Sequence, residues 1–217
     1  MSLSIHGIAA SRAIRPLWAA AELGLSFSHI ATAFAGGATR TSDFLAINPN
    51  GHIPVVVDER EDGPVVVWES MACALYIARH HGVADGVSIT PVTAAEDANA
   101  LKWAFWTVTE IEADALTVLM HRMVMPEARR KPELALAAEQ RLLAPLGVLE
   151  AQLQQQAQRG QAHLAAERLT VADVCVASVV NWVRPAQALM AQHPLVYAWV
   201  MGCMARPAYH LAKASGT

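Results

Sequence analysis

The chain has 217 residues, 54% of them hydrophobic and only 16% charged. That length gives one large domain or two small ones, and that composition excludes a mainly disordered chain, which needs low hydrophobicity and high charge. Lys and Arg number 16 against 19 Asp and Glu, a net charge of −3 with no basic run. A nucleic-acid partner or an anionic membrane surface therefore finds no electrostatic footprint here. Alanine, the best helix former, occurs 42 times and predicts a mostly helical, well-packed protein.

The first 80 or so residues alternate strand and helix signals. Leu3-Ser4-Ile5-His6 alternates apolar and polar, as a short strand does. Ser11 is placed to cap a helix over Arg12 to Leu23, closed by Gly24 and kinked at Pro16. Ser26 to Phe34 reads as a second strand and Gly36-Gly37 as a loop. Thr41-Ser42-Asp43 starts a short helix that Asn48-Pro49-Asn50-Gly51 ends. His52 to Asp58 and Pro64 to Trp68 form a hairpin around Glu61-Asp62-Gly63, and Ser70 opens a helix to His80. The order β-α-β, α, β-β-α implies a mixed sheet with helices on both faces.

Strand signals largely stop at Thr93. Helices are predicted over Thr93 to Met123 and Glu133 to Gln158, with a break between Pro126 and Pro132 and a stop at Gly160. Thr170-Val171-Ala172-Asp173 is a capping-box variant ahead of an apolar run, which gives Asp173 a structural task. Pro185 to Ala205 carries no charged residue. Its Pro185, Gln187, Gln192, His193 and Pro194 make it two short buried helices broken at His193-Pro194 rather than a membrane span. The change of pattern predicts a domain over 1–82, a linker over 83–92 marked by Gly82, Gly86 and Pro91, and an all-helical domain over 93–217.

Cys73, Cys175 and Cys203 lie far apart in apolar helical contexts, which is neither a disulfide framework nor a metal spacing. That points to a reducing compartment, and the opening MSLSIHG lacks the charged start and apolar core of a signal peptide. A cytoplasmic protein is expected. His80 and His81 are adjacent and point different ways, with no carboxylate or thiol at ligand spacing, so no metal site is expected. Tyr76 and Tyr209, in apolar runs, read as packing residues, and Cys73 as a buried packing thiol.

Two runs early in the chain are Asn48-Pro49-Asn50-Gly51-His52-Ile53-Pro54 and Trp68-Glu69-Ser70-Met71-Ala72. With Thr170-Val171-Ala172-Asp173 and Arg206-Pro207-Ala208-Tyr209, in this order and at this spacing, they resemble the cytosolic glutathione transferases over nearly the whole chain. Ser11-Arg12-Ala13 followed by Glu22-Leu23-Gly24-Leu25 looks like bacterial members of that family. The resemblance implies a thioredoxin-like α/β N-terminal domain that binds glutathione and an all-α C-terminal domain. It also implies a homodimer, and an electrophilic second substrate in a cleft between the domains.

Glutathione has two carboxylates, an amine and a thiol, so its site needs carboxylate donors, a strand-like edge and thiolate stabilisation. The residue before a proline is pushed to extended geometry, so Ile53-Pro54 supplies the edge. The resemblance implies a cis bond at Pro54, with the Ile53 backbone pairing with the cysteinyl part of the ligand. Ser70, as a helix N-cap, suits the γ-glutamyl carboxylate, and Glu69 the ligand's ammonium. His52 stands where similar proteins carry a donor for the glycyl carboxylate. Ser11, at a strand-to-helix turn, is the candidate thiolate donor, with Arg12 as an electrostatic aid. Alanine at position 10, where some relatives carry cysteine, argues against a mixed-disulfide mechanism.

Trp103, Trp106 and Glu110 fall at i, i+3 and i+7, one face of a helix that the resemblance sets beside the cleft. The same tryptophans read equally as core or dimer interface, and Glu110 with Glu112 and Asp114 as a solvated face. The expected activity is conjugation of glutathione to a small hydrophobic electrophile. Isomerisation, dehalogenation or peroxide reduction at the same site stays open. So does a non-catalytic binding protein, since no tyrosine lies in the first strand or its loop.

Overall fold

The computed structural model describes residues 2–83 and 88–215. Gly86, one of the markers of the expected linker, lies outside them. The chain forms two compact units, Met1–Val92 with Arg206–Thr217, and Thr93–Ala205. In the first stand β1 (Ser2–His6), α1 (Ile14–Glu22), β2 (Ser28–Ile30), α2 (Ser42–Ile47), β3 (Val55–Arg60), β4 (Gly63–Trp68) and α3 (Ser70–His80). The second holds α4 (Ala94–Trp106), α5 (Glu112–Leu119), α6 (Pro132–Gln158), α7 (Val171–Val180), α8 (Gln187–Met190) and α9 (Pro194–Met204). The last helix, α10 (Pro207–Ala214), follows. Sequence reading gives everything after Thr93 to one helical domain, whereas α10 packs with α1 in the first unit.

The sheet runs β2-β1-β3-β4, with β2 parallel to β1 and the other pairs antiparallel, a thioredoxin-like arrangement. His6 pairs with Val55, and Val55 with Trp68. The segment after β1, the segment before β3 and the turn after β4 therefore leave the same end of the sheet. Leu3, Ile5, Val55 and Val56 supply the strand side of the core. In α3, Met71, Ala74, Ile77 and Ala78 recur at helical spacing and are buried.

Three local expectations shift. The second strand is shorter than Ser26 to Phe34, because β1 offers partners only from Ser4 to His6 before it turns at Gly7. Gly7 has φ 138 and its N–H bonds the Ile30 carbonyl at 2.9 Å; a Cβ there would meet that of Ala13 at 2.6 Å. The helix after Ser11 starts at Ile14, after tight turns in which the Ile14 and Arg15 amides bond the Ser11 and Arg12 carbonyls. Pro16 thus sits in the first turn, where its missing N–H removes no helical bond, so no kink is required. The helix predicted over Thr93 to Met123 is interrupted by π-helical turns at Thr107–Ile111 and Met120–Val124. Thr107 Oγ1 donates to the Trp103 carbonyl at 2.8 Å and Thr109 Oγ1 to the Phe105 carbonyl at 3.2 Å, and such back-bonding disturbs the regular ladder.

The second unit is built on α7, all ten residues of which are buried. Its start rests on Asp173, which is fully buried; Oδ2 accepts from the Thr170 N–H at 2.8 Å, and Oδ1 from the Leu164 N–H at 2.8 Å and Trp199 Nε1 at 3.1 Å. With the Thr170 hydroxyl, which donates to Oδ2 at 3.2 Å, four donors meet one buried carboxylate and fit the structural reading of the capping motif. Pro185 to Ala205 forms α8 and α9, broken at His193-Pro194, and no helix of the described residues is long and apolar enough to cross a membrane.

Candidate active site at one end of the sheet

Three segments of the first unit converge where β1 and β4 end and β3 begins. The segment before β3 is shaped by Asn48, which is buried; its Nδ2 donates to the His52 carbonyl at 2.7 Å, and its Oδ1 accepts from the Asn50 N–H at 3.1 Å. Gly51 has φ 63, and a Cβ there would meet Arg40 Nη1 at 2.6 Å and the Thr39 carbonyl at 2.9 Å, so only glycine passes. The loop delivers an exposed His52 and a half-buried Ile53, joined to buried Pro54 by a cis peptide bond.

The turn after β4 carries Glu69 at φ 68, ψ 117, outside the regions that residues with a Cβ ordinarily occupy. Such a backbone clusters at ligand-binding positions and persists only where its surroundings hold it. Glu69, not Ser70, takes the N-cap position of α3, and Ser70 is the first helical residue. That corrects the expected cap, while the Ser70 hydroxyl stays at the helix start. Ser70 is 5% exposed, and its Oγ accepts from Arg15 Nη1 at 2.6 Å. Arg15, in the first turn of α1, is 0% exposed. Sequence reasoning missed it. The available signal was an arginine inside the otherwise apolar run Ala13 to Ala21.

Ser11 lies in the segment after β1, half-buried, with Arg12 exposed beside it. Its Oγ donates to the Ile8 carbonyl at 2.7 Å and accepts from the Ala13 N–H at 3.1 Å. Ala13 holds the N-cap position of α1, so Ser11 organises the turn ahead of the helix rather than capping it. A hydroxyl has one proton. To donate to a sulfur, Ser11 has to turn that proton away from Ile8.

Cys73 is inert by its surroundings. Burial pushes its thiol up to about 12, and Sγ donates to the Val67 carbonyl at 3.2 Å.

In the second unit Trp103 is buried and Trp106 half-buried, their rings edge to face at 4.9 Å. Glu110 is exposed and lies within the π-helical turn, which breaks the i, i+3, i+7 stripe expected from an uninterrupted helix. Glu112 is buried and Asp114 pairs with Arg141 at 2.6 Å, so the expected solvated face is not one.

The opposite end of the sheet holds what the sequence did not advertise. Asp58 on β3 is 1% exposed, and its Oδ2 accepts from Arg60 Nε at 2.7 Å, the Tyr76 hydroxyl at 2.7 Å and His81 Nε2 at 2.8 Å. Burial alone raises its pKa. The hydrogen bonds from Tyr76, His81 and Arg60 outweigh that and hold the carboxyl below its ordinary range. Tyr76 is therefore a hydrogen-bond donor as well as a packing residue. Tyr209 does pack, edge to face on Trp18 at 5.0 Å. Among the described residues no group of three or more His, Cys, Asp or Glu side chains is placed to hold a metal ion.

Sequence profiles for the glutathione S-transferase N-terminal and C-terminal domains match residues 1–79 and 111–207. Glutathione S-transferase 3 of Zea mays is 30% identical over 202 residues, spanning 89% of this chain and 85% of that protein. Elongation factor 1-gamma 2 of Oryza sativa subsp. japonica is 31% identical over 176 residues, 80% of this chain but 38% of that longer protein. Among solved structures, the theta class glutathione S-transferase of the citrus canker pathogen Xanthomonas axonopodis pv. citri, with glutathione bound, gives a TM-score of 0.79 at 26% identity. It covers 99% of this chain and 98% of that one.

Proposed function

This chain belongs to the glutathione transferase family, and from that premise we propose that it binds glutathione at the sheet end just described and conjugates it to a small hydrophobic electrophile. The observation that carries the reading is the convergence there of the cis Ile53–Pro54 edge, the positive-φ Glu69 and the buried Ser70 hydroxyl. The Ile53 backbone pairs with the cysteinyl part of the tripeptide. Ser70 and the first amides of α3 take the γ-glutamyl carboxylate, Glu69 takes the ammonium, and His52 takes the glycyl carboxylate.

Ser11 stands beside the sulfur. An unperturbed thiol titrates near 8.5, and lowering it by two units takes roughly 2.7 kcal/mol of preference for the thiolate. One hydroxyl donor with nearby backbone dipoles supplies that order of energy. The thiol proton leaves to solvent, the thiolate attacks the electrophilic carbon, a C–S bond forms, and any leaving group departs with its electron pair. Catalysis is thiolate stabilisation and proximity, with no covalent enzyme intermediate. The second-substrate pocket is assigned to the Trp103 and Trp106 region, and the working form to a cytoplasmic homodimer.

The test is a spectroscopic titration of glutathione thiolate on the saturated protein, with a nitro-activated aryl chloride as electrophile. A bound thiol titrating clearly below 8.5, with chloride release, is expected. The Ser11 hydroxyl bonded to Ile8 favours a second reading, a glutathione-binding protein without turnover. Binding with an unshifted thiol would select that second reading, and absence of binding would remove both.

A further inference from the structure

Resting on the glutathione-site reading above, we propose that Arg15 is a positioning residue for the γ-glutamyl carboxylate, acting through Ser70 by fixing which way the serine hydroxyl points. A guanidinium has donors and no acceptor, whereas a hydroxyl has one proton and two lone pairs. In the 2.6 Å contact between Arg15 Nη1 and Ser70 Oγ, the serine oxygen can only accept. Its own proton stays uncommitted, and among the described residues it has no acceptor. Ser70 is thereby held as a donor at the first position of an eleven-residue helix whose amides and dipole already favour an anion.

The burial of the pair gives the arrangement its strength. Arg15 is 0% exposed and Ser70 5%, so the charge acts on the hydroxyl across little water. A donated charge-assisted bond polarises the O–H and strengthens the bond it makes onward. Keeping a guanidinium out of water is costly, and an apolar residue would fill the core of α1 more cheaply. Lysine is no equivalent, because its ammonium is a point charge without the planar fork that fixes the direction of donation. Arg15 and Ser70 lie 55 residues apart in sequence and meet because α1 packs on α3, so the first turns of two helices make one carboxylate station.

The experiment measures binding and steady-state kinetics for the wild-type chain, Arg15→Gln, Arg15→Lys, Ser70→Ala and the Arg15→Gln/Ser70→Ala double variant. Two thiols are compared: glutathione, and γ-aminobutyryl-cysteinylglycine, which lacks the γ-glutamyl carboxylate. For glutathione, Arg15→Gln and Ser70→Ala each raise KM about tenfold with kcat within about threefold, and the double variant adds less than about twofold to either. Arg15→Lys restores part of the loss. For the truncated thiol all variants fall within about twofold of wild type. An Arg15→Gln effect that persists for the truncated thiol, or that adds in full to Ser70→Ala, would make Arg15 merely structural and overturn the proposal.

If the Arg15 variants do not fold, the guanidinium 15N resonances of the wild-type chain decide. A shift of the buried arginine signal on saturation with glutathione and none with the truncated thiol supports the proposal, and equal responses defeat it. Failure of the wild-type chain to bind glutathione at all removes the functional reading and this inference together. Normal binding with uncoupled variants removes this inference alone.

Discussion

The two ends of the four-stranded sheet use polar groups in opposite ways. At the far end, one buried carboxylate oxygen of Asp58 collects Arg60, Tyr76 and His81, so these donors are turned inward to the protein. At the near end, Ser70 accepts from Arg15 and keeps its own proton, Glu69 sits at φ 68, and Ile53 meets Pro54 through a cis bond. Both ends are built on the same strands: His6, Val55 and Trp68 stand in register at the near end, and Leu3, Asp58 and Val65 stand in register further along. The far end ties β3 to α3 through three donors gathered on Asp58 Oδ2, with Oδ1 buried and unpartnered among the described residues, while the near end leaves donors and backbone edges for something else. A polar cluster is thus read by whether its donors are used up.

The contrast predicts a clean separation of stability from binding. Asp58→Asn should have the largest effect, a loss of about 3 kcal/mol in denaturant unfolding with glutathione KM within about twofold of wild type. Because the folded carboxyl titrates below its ordinary 3.8, its contribution is complete above that pH and disappears as pH falls through the lower folded value. Asp58→Asn should therefore flatten the acid limb of stability against pH. A glutathione defect of similar size would mean the two ends are not separable.

Ser11→Ala comes next. A fall in kcat of about 10- to 100-fold is expected, with glutathione affinity little changed and unfolding within about 1 kcal/mol. Unchanged turnover would take Ser11 out of the mechanism. Smallest is Glu69→Gly, where relief of the positive φ should raise stability by about 1 kcal/mol while glutathione binds less well. A simple loss of stability would show that the turn is held by the Glu69 side chain instead.

What was legible in the sequence follows a physical line. The helix Ser70 to His80, the capped start at Thr170 to Asp173 and the break at His193-Pro194 are set by neighbours in the chain, and local pattern found them. The Asn48 to Pro54 segment was legible because glycine and proline dictate its backbone. Arg15 was invisible because its partner lies 55 residues away, and Tyr76 and His81 because theirs lies 18 and 23 residues back. A hydrophobic period registers which face is buried, not which buried oxygen a side chain reaches. The π-helical turn at Thr107–Ile111 escaped for a related reason, since the threonine hydroxyls that loosen it fit the apolar period around them.

The return of α10 to the first unit has a consequence for the order in which the protein is made. Glu22 takes the Trp18 indole N–H at 2.9 Å and both arms of Arg206 at 2.6 and 2.7 Å, and Tyr209 covers Trp18. A nascent chain leaving the ribosome exposes α1 long before these partners exist, while Thr93–Ala205 can finish packing first. The half that holds the candidate site is begun first and completed last.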